Sequence, residues 1–298
     1  MVLNVLNNNV SMAELNKTNI SLIPKTNSPK RITDFHPINP CNVVYKLILK
    51  TLANRLKAFL PHIITENQSA FTSDRLITDN VIVAFQLMHF LNQKTTGKEG
   101  FVVAKLDMSK VFDRVEWCFI QGVMERMGFN TRWINLIMKC ITSVSYSIII
   151  NGVAYGNITP THGIRQGDPL SPSLFLLCAE GLSALIHEAV RNQYLTSISI
   201  AHGCPWVTHL FFADDNILFY KANLEECQEL KQILRSYEEG SSQKINTNKS
   251  SMFFSPNTSQ DIKNKILTFW GQCKTQGTLN TWDSHPSLEG LKHKFSPS

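Results

Sequence analysis

Two periodicities alternate along the chain. Apolar residues at helical spacing fill Val43–Ile64, with Arg55 and Lys57 on the polar side, and fill Asp79–Gln93 behind a Thr78 cap. The same spacing predicts helices over Glu116–Met127, closed by Gly128, and over Arg132–Thr142. Two more are predicted over Ser173–Asn192, with Ser171 and Pro172 at its start, and over Leu224–Glu239. Short β-branched and aromatic runs predict strands at Ile20–Pro24, at Phe101–Leu106 with Asp107 at its end, and near Ser251–Ser255. Tyr146–Ile150 and Val153–Ile158 flank Asn151-Gly152, a strong hairpin signal. Leu210–Phe212 and Ile217–Tyr220 flank Asp214, Asp215 and Asn216, which predicts a second hairpin with an acidic tip. Polar connections lie between: Met1–Asn19, read as a short helix end and a loop, a Pro- and Lys-bearing loop to Pro40, Thr95–Gly100, and the Gly/Pro loop Gly163–Pro172. This order of elements predicts an α+β fold in which helices pack on one face of a sheet.

Composition changes this picture little. A chain of 298 residues with 43% apolar content can bury a sizeable core, in one large domain or two subdomains. The net charge of +6 allows an anionic partner but barely favours nucleic acid over a generic basic surface. Seven scattered cysteines form no C-x-x-C pair, and several sit in apolar helical patterns. Buried reduced thiols and an intracellular, non-secreted location are therefore expected. The nine histidines show no ligand spacing, no uninterrupted apolar stretch approaches transmembrane length, and the N-terminus lacks a signal-peptide pattern, so no membrane is expected.

The acidic tip is where chemistry enters. Adjacent carboxylates repel, and oxygen-only ligands suit Mg²⁺, which prefers one or two carboxylates, waters and substrate phosphates. An isolated Asp-Asp pair reads better as an exposed turn. Asp107, at the end of a strand, alters the balance: if strand and hairpin are sheet neighbours, three carboxylates meet at one edge. Two Mg²⁺ ions roughly 3.5–4 Å apart would then clamp the attacking and leaving oxygens of a phosphoryl displacement. Lys25, Arg31, Arg165 and Lys249 are the cations on offer for a leaving pyrophosphate.

Four blocks in order, FVVAKLDMSKVFDRVEW (101–117), GIRQGDPLSPSLF (163–175), FFADDNILF (211–219) and QKINTNKS (243–250), resemble the core blocks of reverse transcriptases. The likeness is strongest to LINE-type, non-LTR retrotransposon enzymes of plants. ISLIPK (20–25), DFHPI (34–38), LANRL (52–56), ENQSAF (66–71) and RLITDN (75–80) resemble that family's fingers blocks. The resemblance covers about residues 1–270. It implies a right-hand polymerase fold: fingers over 1–95, palm with an embedded fingers segment over 96–255, and a truncated thumb start with an altered tail over 256–298.

Carried over residue by residue, Asp107, Asp214 and Asp215 match the metal-binding carboxylates, with the main-chain carbonyl of Met108 completing one metal shell. Phe112 falls at the steric-gate position, where a ring crowds a ribose 2′-OH; an ordinary core position explains it equally well. Gln166 and Gly167 match the loop beside the incoming nucleotide and template, against a generic Gly turn and a solvated amide. Arg165 is a candidate backbone-phosphate contact, Lys249 resembles the lysine that protonates the pyrophosphate, and Lys25 is a candidate triphosphate contact. Asp113 and Arg114 are expected in structural hydrogen bonds. The implied cofactor is Mg²⁺, two ions, with Mn²⁺ an alternative. The implied partners are RNA template, DNA primer and dNTP, and the implied location is nuclear or cytoplasmic.

The chain departs from the family's pattern in four places. His36 stands where the family has an Arg that contacts the triphosphate, Asp74 where it has Gly, and Ser242 where it has Gly. Beyond Gly271 the family continues Lys-Tyr-Leu-Gly-Leu-Pro-Ser. Back-translated and read one base later, that block yields Asn-Thr-Trp-Asp-Ser-His, the residues at 280–285 here, followed by a Pro codon start. A frameshift between about Trp270 and Asn280 is expected, with a poorly packed tail, a missing thumb and no endonuclease. RNA-directed DNA polymerase is the expected activity. The alternative is an inactive retrotransposon remnant that at most binds RNA or protein, and a palm-type nucleotidyl cyclase is a distant third.

Overall fold

The computed structural model describes residues 2–8, 11–72, 75–212, 215–271 and 273–275. Asp214, Ser73, Asp74 and the tail over 276–298 lie outside the described residues. In chain order the elements are α1 (Val2–Asn8), β1 (Lys17–Pro24), β2 (Phe35–Ile38), α2 (Val43–Lys57), α3 (Leu60–Ile63), α4 (Ile77–Gln93) and β3 (Phe101–Ser109). Next come α5 (Val111–Arg114), α6 (Trp117–Arg126), α7 (Thr131–Thr142), β4 (Ser145–Ile150), β5 (Val153–Ile158) and α8 (Ser171–Arg191). The last are β6 (His209–Phe212), β7 (Asp215–Lys221), α9 (Leu224–Ser241), β8 (Lys244–Ile245), β9 (Ser251–Phe254), α10 (Gln260–Trp270) and β10 (Lys274–Thr275).

The chain divides into two compact units that interleave along the sequence, where three consecutive segments are expected from sequence. One unit holds residues 1–63, 110–179 and 240–242, and the other holds 64–109, 180–239 and 243–298. The interleaving follows from strand pairing, since each sheet takes its partners from distant stretches. In the first unit the sheet order is β2-β1-β4-β5, with β1 parallel to β4 and the other pairs antiparallel. Pro37 sits on edge strand β2, where a missing amide N–H costs no ladder bond. Helices α6 and α7 pack together, and the apolar face of α2 buries Ile48, Leu49, Leu52 and Leu56.

The second unit is built on β10-β9-β3-β7-β6, with β8 also paired to β3. β9 and β10 are parallel and the other neighbours antiparallel. Its core joins Ala84, Leu87, Met88 and Leu91 of α4 to Val103, Ile217, Phe219 and Phe253 of the sheet. That is the helix-on-sheet layering predicted from the apolar pattern.

Three local differences from the sequence reading have physical causes. The helix expected over 43–64 breaks after Lys57 and resumes at Leu60, and Pro61 lacks the amide hydrogen that a continuous helix would use there. Asp215 and Asn216, expected in the hairpin tip, belong to β7, where they pair with Asp107 and Leu106 on one side and with Phe212 and Phe211 on the other. Helix α10, not expected, starts where Ser259 Oγ accepts the Ile262 amide hydrogen.

Among the described residues α8 alone is long and apolar enough to cross a membrane, but 67% of its most apolar window is buried inside the protein, as in a core helix. All seven cysteines are free thiols. Cys140, Cys178, Cys227 and Cys273 are buried as expected, whereas Cys118 and Cys204 are exposed.

Candidate active site

Strand β3 carries an apolar face that turns charged. Phe101 and Val103 belong to the core with α4, whereas Lys105 and Asp107, further along the same face, are only half-buried. β7 runs antiparallel to it, so Phe219 faces Val103, Ile217 faces Lys105, and Asp215 faces Asp107. Two carboxylates thus stand directly opposite on one face, where cross-strand Cβ atoms are about 4.5–5.5 Å apart. The Lys105 ammonium lies 3.3 Å from Asp215 Oδ1 and offsets part of this charge. Asp214, adjacent in sequence to Asp215, lies outside the described residues.

The other side of β3 is held from behind. The Asp107 carbonyl accepts the Asn246 amide hydrogen at 2.8 Å, and Ser250 Oγ accepts the Asp107 amide hydrogen at 3.2 Å. Ser250 in turn donates to the Asn246 carbonyl at 2.8 Å, closing a turn. The exposed Lys249 belongs to this turn, its amide donating to the Asn246 carbonyl, so Lys249 is brought to the carboxylate end of the sheet. Met108 is buried and pairs with Ile245 of β8.

Strand β6, which pairs with β7, has its free edge covered by residues 67–69. The Phe211 amide donates to the Asn67 carbonyl at 2.8 Å, and Gln68 bridges to Phe211 in parallel. Asn80 Nδ2 donates to the carbonyls of both Asn67 and Phe211. Arg75 donates to the carbonyls of Ile64, Thr65 and Gln68, which fixes the loop that does the covering. His209 is fully buried, and its ring contacts the hydroxyls of Ser183 and Thr208, each at 2.9 Å. Burial, aided by the neighbouring His187, pushes its pKa down to about 3, so the ring is neutral.

The first unit holds the other expected site residues. Phe112 packs its ring on Phe175, centroids 5.4 Å apart. Its segment is stitched to the 163–172 loop: Ile164 N–H donates to the Phe112 carbonyl, Gly163 N–H to the Val115 carbonyl, and Trp117 Nε1 to the Gly163 carbonyl. Gly163 is obligatory, because a Cβ there would lie 2.7 Å from the Asp113 carbonyl oxygen and its φ is +86°. Gln166 and Gly167 form the exposed tip of the loop, and Gln166 Nε2 donates to Asp113 Oδ1 at 3.2 Å. Asp113 thus makes the structural hydrogen bond expected of it. Lys25 is exposed, and its ammonium donates to the Thr33 carbonyl at 3.1 Å.

Arg165 departs from the sequence expectation of a phosphate contact. Its guanidinium is turned into the first unit, 5.6 Å from the ring centroids of both Tyr45 and Tyr146, and Nη2 donates to Asn16 Oδ1 at 2.8 Å. The cause is local, since a planar cation stacks well between aromatic faces. Asn16, Asp168, Asn80 and Lys105 have structural roles that the sequence reading passed over. Of these only Lys105 carried a signal, a charge inside an apolar strand run.

The family described as "Reverse transcriptase (RNA-dependent DNA polymerase)" matches residues 23–276. The "Transposon TX1 uncharacterized 149 kDa protein" of Xenopus laevis is 29% identical over 264 residues, which is 85% of this chain and 19% of that protein. The "Retrovirus-related Pol polyprotein from type-2 retrotransposable element R2DM" of Drosophila melanogaster is 25% identical over 202 residues, 68% of this chain and 18% of that one. An uncharacterized mitochondrial protein of Arabidopsis thaliana is 51% identical over 67 residues, 22% of this chain and 55% of its own. The chain therefore spans about a fifth of the two longer relatives. In fold it is similar to telomerase from Candida tropicalis, solved with a fragment of telomeric RNA: TM-score 0.56, 13% identity, 82% of this chain and 42% of that one.

Proposed function

The chain belongs to the reverse transcriptase family, and on that premise we propose that it is the polymerase core of a non-LTR retrotransposon enzyme, adding dNMP units to a DNA primer 3′-OH on an RNA template. The observation that carries the reading is Asp107 facing Asp215 across β3 and β7. Like charges directly opposite in a sheet destabilise it unless a cation answers them. Reverse transcriptases use divalent metal ions, and an all-oxygen donor set at a charged sheet edge fits Mg²⁺. Asp107, Asp214, Asp215 and the Met108 carbonyl are the groups that would hold two such ions. When bound, the ions supply Lewis-acid polarisation of the phosphoryl oxygens and a more acidic primer hydroxyl.

The protein's own groups divide the remaining tasks. The flat ring of Phe112, backed by Phe175, excludes a 2′-OH and so selects dNTP. Gln166 and Gly167 present the loop tip to the nucleotide and template. The Lys249 ammonium holds the proton that the leaving pyrophosphate takes, and Lys25 contacts the triphosphate. Arg165, being turned inward, contacts no substrate in this reading.

A remnant that only binds RNA is the second reading, favoured by His36, exposed on edge strand β2 where the family carries Arg. Incorporation of dNTP on a primed RNA template with Mg²⁺, beside Asp107→Asn and Asp215→Asn, separates the two. Incorporation that both substitutions abolish supports the polymerase, and a folded chain without incorporation overturns it.

A further inference from the structure

The 163–172 loop is built from residues that alternate between inside and outside. Arg165 and Asp168 are each only 8% exposed, while Gln166 and Gly167 between them stand in solvent. The Asp168 amide donates to the Arg165 carbonyl, so these four residues form a β-turn whose third position, Gly167, has φ +83°, as a type II turn requires of glycine. Both corners of the turn are therefore anchored in the first unit, and only its tip is offered outward.

The anchor is over-determined on one side and incomplete on the other. Asn16, which accepts from Arg165 Nη2, is itself fixed by donating to the Cys140 carbonyl at 2.9 Å and to Ser143 Oγ at 3.0 Å. The guanidinium position is thus set by Asn16, Tyr45 and Tyr146. Its Nε and Nη1, however, have no hydrogen-bond partner among the described residues, and neither has Asp168 Oδ1. Arg165 and Asp168 line the same cavity of about 20 Å³. One water needs about 10–15 Å³ by this measure and two to four polar partners, and the orphaned atoms provide both donors and an acceptor. Leaving a buried guanidinium and a buried carboxylate unbridged would be costly.

We propose that a single buried water joins Arg165 to Asp168, and that this pair positions the Gln166 and Gly167 tip. Asp168 is a positioning residue. The nucleotide-facing role of the tip rests on the function proposed above. Burial raises the Asp168 carboxyl to about 6, against the pull of Arg165, the Leu170 amide and Lys46. The other titratable groups facing it, Tyr45 and Cys140, are pushed up by burial and stay neutral. The anchored turn holds this proton more tightly than an exposed carboxyl would, so deprotonation of Asp168 as pH rises through 6 should loosen the tip.

The test uses the full chain with Arg165→Met, Asp168→Leu and the double variant, reading thermal midpoint together with dNTP KM and kcat. Each single variant should lower Tm by leaving its partner buried and unpaired, and the double should recover most of that loss. Folded double variant should show dNTP KM raised about tenfold with kcat within about twofold, the signature of lost ground-state positioning. In the wild type KM should rise as pH rises through 6, and in the double it should not. Additive Tm losses, an unchanged KM, or a crystal structure with Arg165 bonded directly to Asp168 would overturn the proposal. If the wild-type chain neither incorporates nor binds dNTP, the functional reading falls and takes the nucleotide half with it, while the Tm cycle still decides the pair.

Discussion

Asp107 and Asp215 illustrate how two facing carboxylates cost stability. Both lie on a face that would otherwise continue the apolar core of Val103, Ile217 and Phe219, and each instead brings a negative charge opposite another. Asp107→Asn should lower incorporation by about 10²–10³ or more. Without divalent metal the same change should leave Tm unchanged or raise it, by about 0.2–1 kcal/mol of relieved repulsion. Activity and thermal unfolding of one preparation check both halves. The role proposed for Phe112 would act through shape instead. Phe112→Val should keep dNTP incorporation while relaxing discrimination against rNTP by about ten- to a hundredfold, read as the ratio of kcat/KM values. The sequence marked all these residues by type and position in a motif. It could not mark Arg165 as inward-facing, because an Arg at a loop reads the same whether its partner is a phosphate or Asn16.

At the scale of elements, β7 is flanked by β6, and β6 depends on groups remote in sequence. His209 is buried and neutral between Ser183 and Thr208. Its pKa is depressed to about 3 in the native state, whereas the unfolded chain takes up a proton near the ordinary 6.5. Between these values the unfolded state binds more protons, so this contribution is complete above pH 6.5 and is lost as pH falls through the window. His209→Gln should flatten the fall in Tm between pH 7 and pH 4.5. Asp168 has the opposite sign: its raised native pKa makes the folded state hold the proton longer, so its contribution declines as pH rises from about 4 to 6. Comparing variant with wild type at each pH separates the two slopes. The 163–172 loop offers a steric prediction. Gly163→Ala would press a methyl group against the Asp113 carbonyl and hold alanine at φ +86°. A loss of about 1–3 kcal/mol is expected in urea unfolding, with the Phe112 segment loosened because Gly163 and Ile164 are bonded to it.

At the scale of the whole molecule, neither compact unit is contiguous in sequence. β3 finds β7 and β9 only after more than a hundred intervening residues, and β1 finds β4 only at residue 145, so a piece ending at residue 109 contains neither sheet complete. A fragment of residues 1–109 is therefore expected to lack cooperative unfolding by circular dichroism, whereas the full chain shows it. A fragment that unfolds cooperatively would mean that the pairing is less important than the local helices. The same interleaving explains why consecutive fingers, palm and thumb segments, drawn along the sequence, do not coincide with the units that the contacts define.

The sequence by itself determined the identity and approximate bounds of most elements, the α+β class, and the acidic and glycine-rich motifs that point to phosphoryl chemistry. These are short-range properties: apolar periodicity, turn residues and caps act within a few positions, so they can be read locally. Tertiary structure alone decided that Asp215 pairs opposite Asp107, that residues 67–69 cover the edge of β6, and that Arg165 turns inward to Asn16. Each of these is fixed by partners far away in the chain, and the fate of a polar group is set by which partner satisfies it once water is gone.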